Sequence, residues 1–208
     1  MLRNILYIAG SVTIFFFGMV LYGVILNLRQ NTLEEEMQAK RISSFSKPAI
    51  IVSKKKYNLE LYEDTVLVKT YKAAFGKSGR IIKESFTDNG TPNGDYMIQQ
   101  IDTVSKYHRL ILLNYPNQSD LIEAYKKQWI TEEEYYLILG NIKKGKHPFE
   151  GVQKYARIGI HGIGTYDFIF RNLPFTFNWT NGSIALSNGD IDELLRVVKI
   201  GTPVLIKD

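Results

Sequence analysis

Two side chains in this sequence have the chemistry of acyl transfer. FNWTNGSIALSN places Ser183 directly after Gly182, between an aromatic, polar loop and the start of a helix. RIGIHGIG places His161 at the end of an alternating strand, among small residues that leave room for a reacting group. A serine nucleophile needs a base within hydrogen-bond reach, an oxyanion pocket of backbone N–H groups and a substrate cleft. A glycine before the serine lets the chain turn sharply and expose its N–H groups. The pattern is not the Gly-x-Ser-x-Gly elbow, because the second glycine is missing. On residue types alone, Ser183 reads either as a nucleophile with His161 as its base or as a turn residue, and His161 as that base or as a hydrogen-bonded structural histidine.

Other chemistries find less material. There are 3 histidines and no cysteine. Disulfides, thiolate metal sites and a thiol nucleophile are therefore excluded. No two histidines have helical metal-ligand spacing, and no acidic cluster resembles a calcium loop, so neither metal nor cofactor is expected. His108 opens an apolar strand, and His147 sits in the basic loop KKGKHPFEG, where it reads as solvated. GKSGR, from Gly76 to Arg80, lacks the glycine spacing of a phosphate loop and reads as a turn. The runs Lys54–Lys56 and Lys143–Lys146 read as solvated faces, and the sequons at Asn117, Asn178 and Asn181 as chance. A net charge of +5 suits an anionic partner such as cell-wall polymer, phospholipid or nucleic acid without choosing among them; the partners expected from the whole reading do not include nucleic acid.

These residues must be positioned by the rest of the chain. From Ile5 to Leu26 no residue carries a charge. At 1.5 Å per residue that run reaches about 30 Å, the thickness of bilayer hydrocarbon. No small-x-small site follows it, so residues 1–27 read as an uncleaved transmembrane anchor in a lipid bilayer. Flanking charges are nearly balanced. A short tail before the span and a large domain after it follow the usual plan of a signal anchor, with the domain outside the cytoplasm. Residues 28–48 are polar and helix-prone and read as a juxtamembrane spacer closed by Pro48.

From Ala49 the pattern changes to period two. AIIVSKK, the hairpin YNLELYEDTVLVKTYK with its turn at Glu63-Asp64, GDYMIQQID, RLILLNYP, ARIGIHG and GTPVLIKD read as strands. In the hairpin, Leu59, Leu61, Val66 and Val68 alternate with polar neighbours. Residues 119–147 read as a helical insertion. Ser119-Asp120 starts its first helix, and Thr131 with Glu134 forms a capping box for its second. Asn188-Gly189-Asp190 leads a last helix, IDELLRVV. Residues 49–208 are therefore expected to form one mainly β domain of the α+β class, with enough chain for a single core.

These segments, in this order, resemble the L,D-transpeptidase catalytic domain, also called YkuD-like, of bacterial peptidoglycan-remodelling enzymes. The resemblance runs from about Ile50 to Ile206. It rests on SKKKYNLELYEDTVLVKTYKAAFGKSG, GTPNGDYMI, GIHGIG and NGSIALSNGDIDEL followed by GTPVLI; NYPNQSD and WTNG are most similar to the YafK-like branch. It implies a β-sandwich or barrel, His161 as general base, and Ser183 in the place of the nucleophilic cysteine. It also implies an oxyanion side made by Gly182 and the Ser183–Ile184 backbone, and a loop fixed by Asn188. Asn181 stands where many members have a second histidine, and Ala185 where they have arginine. Tyr115 and the Trp179 loop are expected beside the stem-peptide substrate.

The implied protein is membrane-anchored and extracytoplasmic, and acts on peptidoglycan stem peptides by acyl transfer or hydrolysis at the L,D bond. Ser183 weakens that expectation. A free thiol, with a pKa near 8.5, supplies some thiolate at neutral pH, whereas a hydroxyl must lose its proton as it attacks. The alternative is a catalytically inactive pseudoenzyme that binds peptidoglycan or a cell-envelope partner.

Overall fold

A computed structural model describes residues 2–77, 85–173 and 175–208. Helix α1 (Leu2–Asn27) carries the apolar run, and Gly23 is its buried residue. Among the described residues it is the one helix long and apolar enough to cross a membrane. Helix α2 (Leu33–Ala39) follows, held by a capping box in which Thr32 takes the Glu35 N–H and the Glu35 carboxylate takes the Thr32 N–H. The segment read as a spacer packs on the domain: Leu33 is fully buried, and Lys40 Nζ donates to the Val68 carbonyl at 2.6 Å.

The strands are β1 (Pro48–Ser53), β2 (Asn58–Glu63), β3 (Val66–Lys72), β4 (Gly94–Ser105), β5 (His108–Leu113), β6 (Gly159–Gly162), β7 (Ile184–Leu186) and β8 (Pro203–Lys207). Among the described residues they form one sheet in the order β3-β2-β1-β8-β4-β5-β6-β7. Two pairs are parallel, β1 with β8 and β6 with β7; the other neighbours are antiparallel. Just beyond β3, Ala74 exchanges two backbone hydrogen bonds with Ala185 of β7, at 2.9 and 2.8 Å. The two ends of the sheet therefore meet, as the twist of a long curled sheet allows. The mainly β fold with helices is what the segment order implied.

Alternation built the core as expected in β1 and β2, where Ile50, Val52, Leu59 and Leu61 are buried. It failed in β3. Val66 is exposed while Val68 is buried, because the β2–β3 register shifts between Leu61 and Tyr62. An extra residue in one strand breaks the two-residue period.

The insertion after β5 holds α3 (Gln118–Lys126) and α4 (Glu132–Lys143). The α4 capping box of Thr131 and Glu134 is present. Helix α3 starts earlier than Ser119-Asp120, because Asn117 is its cap: its side chain accepts from the Ser119 and Asp120 N–H groups. Two short helices complete the fold, α5 (Asp167–Arg171) and α6 (Asn188–Leu195), the latter burying Ile191 and Leu194. The turn read in GKSGR lies, from Ser78 on, outside the described residues.

Candidate active site

Strands β6 and β7 bring the two reactive side chains together. Their parallel register sets His161 beside Ala185. Ser183 lies two residues before Ala185, so strand alternation puts it on the face shared by Ala185 and His161. The Gly159 N–H donates to Ser183 Oγ at 3.2 Å. Among the described residues no hydrogen bond joins Ser183 to His161.

The turn before β7 is held from several sides. Thr180 Oγ1 donates to the Ser183 carbonyl at 2.6 Å and accepts the Gly182 N–H at 3.2 Å. Gly182 has φ of 104°, and a Cβ there would lie 2.8 Å from both the Gly90 carbonyl oxygen and Ile158 Cδ1. Glycine is therefore needed for backbone conformation and for space. Ile184 begins β7 and is fully buried, while Asn181 is exposed at the turn.

His161 is 4% exposed. Its Nδ1 lies 2.7 Å from the Gly162 carbonyl, which can only accept, so Nδ1 carries the proton and Nε2 keeps its lone pair. Tyr107 stacks on the imidazole at 4.5 Å, and Trp179 meets it edge-on at 5.8 Å. Burial lowers the His161 pKa below its ordinary value; the Gly162 hydrogen bond opposes this, and the Lys106 charge adds to it. The ring is thus a neutral base at neutral pH. Asn188 ties the two halves of the site: its side-chain amide bonds both the N–H and the C=O of Gly164, in the loop after His161.

Trp179 and Ala185 border a cavity of about 430 Å³. Lys72, Phe170, Arg171 and Glu193 line it, with Asn27 from the end of α1 and Thr32 from the chain that follows. Neither Ser183 nor His161 does. Tyr115 lies elsewhere, buried in an aromatic cluster with Phe86, Tyr96 and Phe149, beside a second cavity of about 270 Å³. No three His, Asp or Glu side chains among the described residues converge as a metal site.

Sequence reasoning missed Tyr107 and Thr180. A threonine just before a Gly-Ser turn is a recognisable turn signal, but nothing local marks Tyr107 as the cover of His161. His147, read as solvated, is instead 7% exposed, because its Nδ1 accepts the Phe149 N–H and the aromatic cluster closes over it.

A profile of the L,D-transpeptidase catalytic domain (YkuD) matches residues 47–206, from just before β1 to Ile206 of β8. The chain belongs to this family. Among solved structures, it is 22% identical to Bd1075 of Bdellovibrio bacteriovorus, covering 79% of this chain and 49% of that one, with a TM-score of 0.49. It is 17% identical to an L,D-transpeptidase of Xylanimonas cellulosilytica, covering 79% and 62%, TM-score 0.43. It is also 17% identical to the helical cell shape determining protein Pgp2 of Campylobacter jejuni, covering 85% and 55%, TM-score 0.47. The chain thus spans between 49% and 62% of the length of these structures. No curated protein matches it by sequence. Within the family's catalytic domain, the profile covers His161, Ser183 and Asn188 together.

Proposed function

We propose that this protein is a membrane-anchored member of the L,D-transpeptidase family, held by residues 5–26 with its domain on the extracytoplasmic side. Its cleft binds peptidoglycan stem peptides, and its acyl transfer is limited by Ser183. The observation that carries this reading is the position of Ser183 Oγ, which accepts from the Gly159 N–H and makes no bond to His161. A hydroxyl that does not already share its proton with the base must lose it entirely during attack.

The reaction open to the site is acyl transfer. Ser183 Oγ attacks the carbonyl carbon of the third stem residue while its proton passes to His161 Nε2. The Gly182, Ser183 and Ile184 backbone is the oxyanion side. The tetrahedral adduct collapses, the C–N bond breaks, and the departing D-amino acid takes the proton from His161. Water or an acceptor amine then attacks the seryl ester, and Ser183 recovers its proton. A C–O bond is shorter than C–S by several tenths of an ångström, and misplacement near 1 Å already costs about 100-fold. Peptide recognition is the property retained. A working serine enzyme is the second reading, favoured by the Gly162 bond that leaves His161 Nε2 free as a base.

The test is to incubate the full chain in nanodiscs with tetrapeptide muropeptides, beside Ser183→Cys and Ser183→Cys/His161→Ala. Saturable binding without product by the native chain, and His161-dependent product from Ser183→Cys, are expected. Product from the native chain that disappears in His161→Ala would establish the serine enzyme instead. Failure of both native and Ser183→Cys chains to bind would defeat the peptidoglycan reading.

A further inference from the structure

Helix α1 is joined to the domain by more than its connecting chain. One face of its last turns packs against the domain: Gly23 is buried, and Met19, Val20, Val24 and Asn27, spaced as one helix stripe, are half-buried. A Cβ at Gly23 would lie 1.7 Å from the Asn172 carbonyl oxygen, so only glycine admits this approach. Asn27 Nδ2 donates to Asn172 Oδ1 at 2.7 Å and to the Arg171 carbonyl at 3.1 Å.

This contact fixes a depth. Gly23 lies three residues before Leu26, the last residue of the apolar run before the polar Asn27. At 1.5 Å per residue, Asn172 touches the helix about 4.5 Å inside that end. The chain next to Asn172 must then sit at the boundary of headgroups and acyl chains. It carries the side chains for that place. Tyr166, Phe168, Ile169 and Phe175 are exposed, Phe168 to 59% and Phe175 to 51%, although α1 is already packed beside them. Aromatic rings favour the membrane interface, and interfacial segments sit about 5–10 Å into this boundary. The Arg171 guanidinium, 6.0 Å from the Phe168 ring, supplies a cation for lipid phosphate.

We propose that α5 and the following Phe175–Phe177 strip form a membrane-docking surface, seated in the leaflet next to the domain. The proposal rests on the reading of α1 as a bilayer span. Its consequence is orientation. With α1 and α5 both in the bilayer, the domain has a set face toward the membrane. Rings in sequence, Phe177–Phe170 at 5.5 Å, Phe170–Trp179 at 6.2 Å and Trp179–His161 at 5.8 Å, join that face to the base. The site therefore works at a fixed height above the lipid.

The chain has no cysteine, so one introduced cysteine takes one spin label. Labels at Phe168→Cys, Tyr22→Cys and Lys143→Cys would be compared in the full chain, in nanodiscs of phosphatidylcholine and phosphatidylglycerol, by relaxation with oxygen and with a water-soluble nickel chelate. The expected result is oxygen-dominated relaxation at Tyr22→Cys and Phe168→Cys, and nickel-dominated relaxation at Lys143→Cys. Nickel-dominated relaxation at Phe168→Cys with a hydrocarbon signal at Tyr22→Cys would overturn the docking surface and leave the anchor standing. Aqueous signals at both would remove the anchor reading and the proposal with it. Dipolar broadening at Phe168→Cys that vanishes on dilution with unlabelled chain would assign the face to a second copy, and so also overturn it.

Discussion

The side-chain amide of Asn188 clamps the backbone of Gly164, accepting its N–H at 2.9 Å and donating to its carbonyl at 3.0 Å. The pair joins the start of α6 to the loop after His161. A net contribution near 1 kcal/mol per bond, with desolvated partners left behind on removal, gives Asn188→Ala a cost of about 1–3 kcal/mol. Denaturant unfolding measures it. Faster amide exchange at Gly164 than in the native chain would show that the loss is local to this loop; unchanged exchange would mean that the clamp is idle.

Gly182→Ala is expected to destabilise the domain more than a surface change does. The residue has positive φ, and the new methyl meets the Gly90 carbonyl oxygen, which is backbone and cannot swing away. A cost of about 1–3 kcal/mol follows from strain alone. A variant with native unfolding midpoint would mean that the turn relaxes freely.

Removing the Tyr107 ring should raise the pKa of His161. Burial is the largest cause of its depression, and Tyr107 covers one face of the imidazole at 4.5 Å. In Tyr107→Ala, water reaches that face and the value moves up toward 6.5, as read from imidazole proton shifts against pH. An unmoved titration would assign the desolvation to Trp179 and the strand backbone instead.

Ser183→Cys supplies the chain's one thiol, so alkylation reports a single site. The Gly159 N–H donates to the side-chain atom at this position, and a donor to an anion favours it. The pH midpoint of iodoacetamide reaction is expected below the free-thiol value of about 8.5. A midpoint above it would show that burial outweighs the hydrogen bond.

His147 makes the domain acid-sensitive. Burial first, then the Arg157 charge, lowers its pKa from 6.5 to about 4, with Glu150 opposing. The folded value lies below the unfolded one, so its contribution is complete above 6.5 and is lost as pH falls from 6.5 through about 4. Asp120, raised by burial to about 6, runs the other way, so native chain is best compared with His147→Leu. The stability difference between them should shift against the native chain by about 3 kcal/mol between pH 7 and the acid limb. A constant difference would place His147 in water.

Much of this architecture was legible locally. The uncharged run from Ile5 to Leu26, the β2–β3 hairpin and the Thr131–Glu134 capping box all depend on residues within a few positions of one another, although the hairpin turns at Asp64-Thr65 rather than at Glu63-Asp64, since Glu63 still pairs with Val66. The β3 bulge was not legible, because an inserted residue is defined by its partner strand. The burial of His147 was hidden too, because the basic composition of its loop says nothing of how Phe149, two residues on, packs among Phe86, Tyr115 and Tyr155 and carries the imidazole inward with it. Asn117 as the α3 cap is ambiguous in the sequence, because Ser119-Asp120 offers similar capping chemistry two residues later.

The sequence by itself determined which residue types are available for chemistry, Ser183 after Gly182 and His161 among small neighbours, and the period and caps of many of the elements around them. Side-chain spacing and capping are short-range, so they can be read along one strand of chain. Only the tertiary structure decided that β6 lies parallel to β7 with His161 beside Ala185, that Ser183 Oγ faces the Gly159 N–H, and that Gly23 of α1 touches Asn172. Those relations join residues far apart in the chain. They are set by backbone hydrogen-bond register and by how closely two surfaces can approach, which no local pattern encodes.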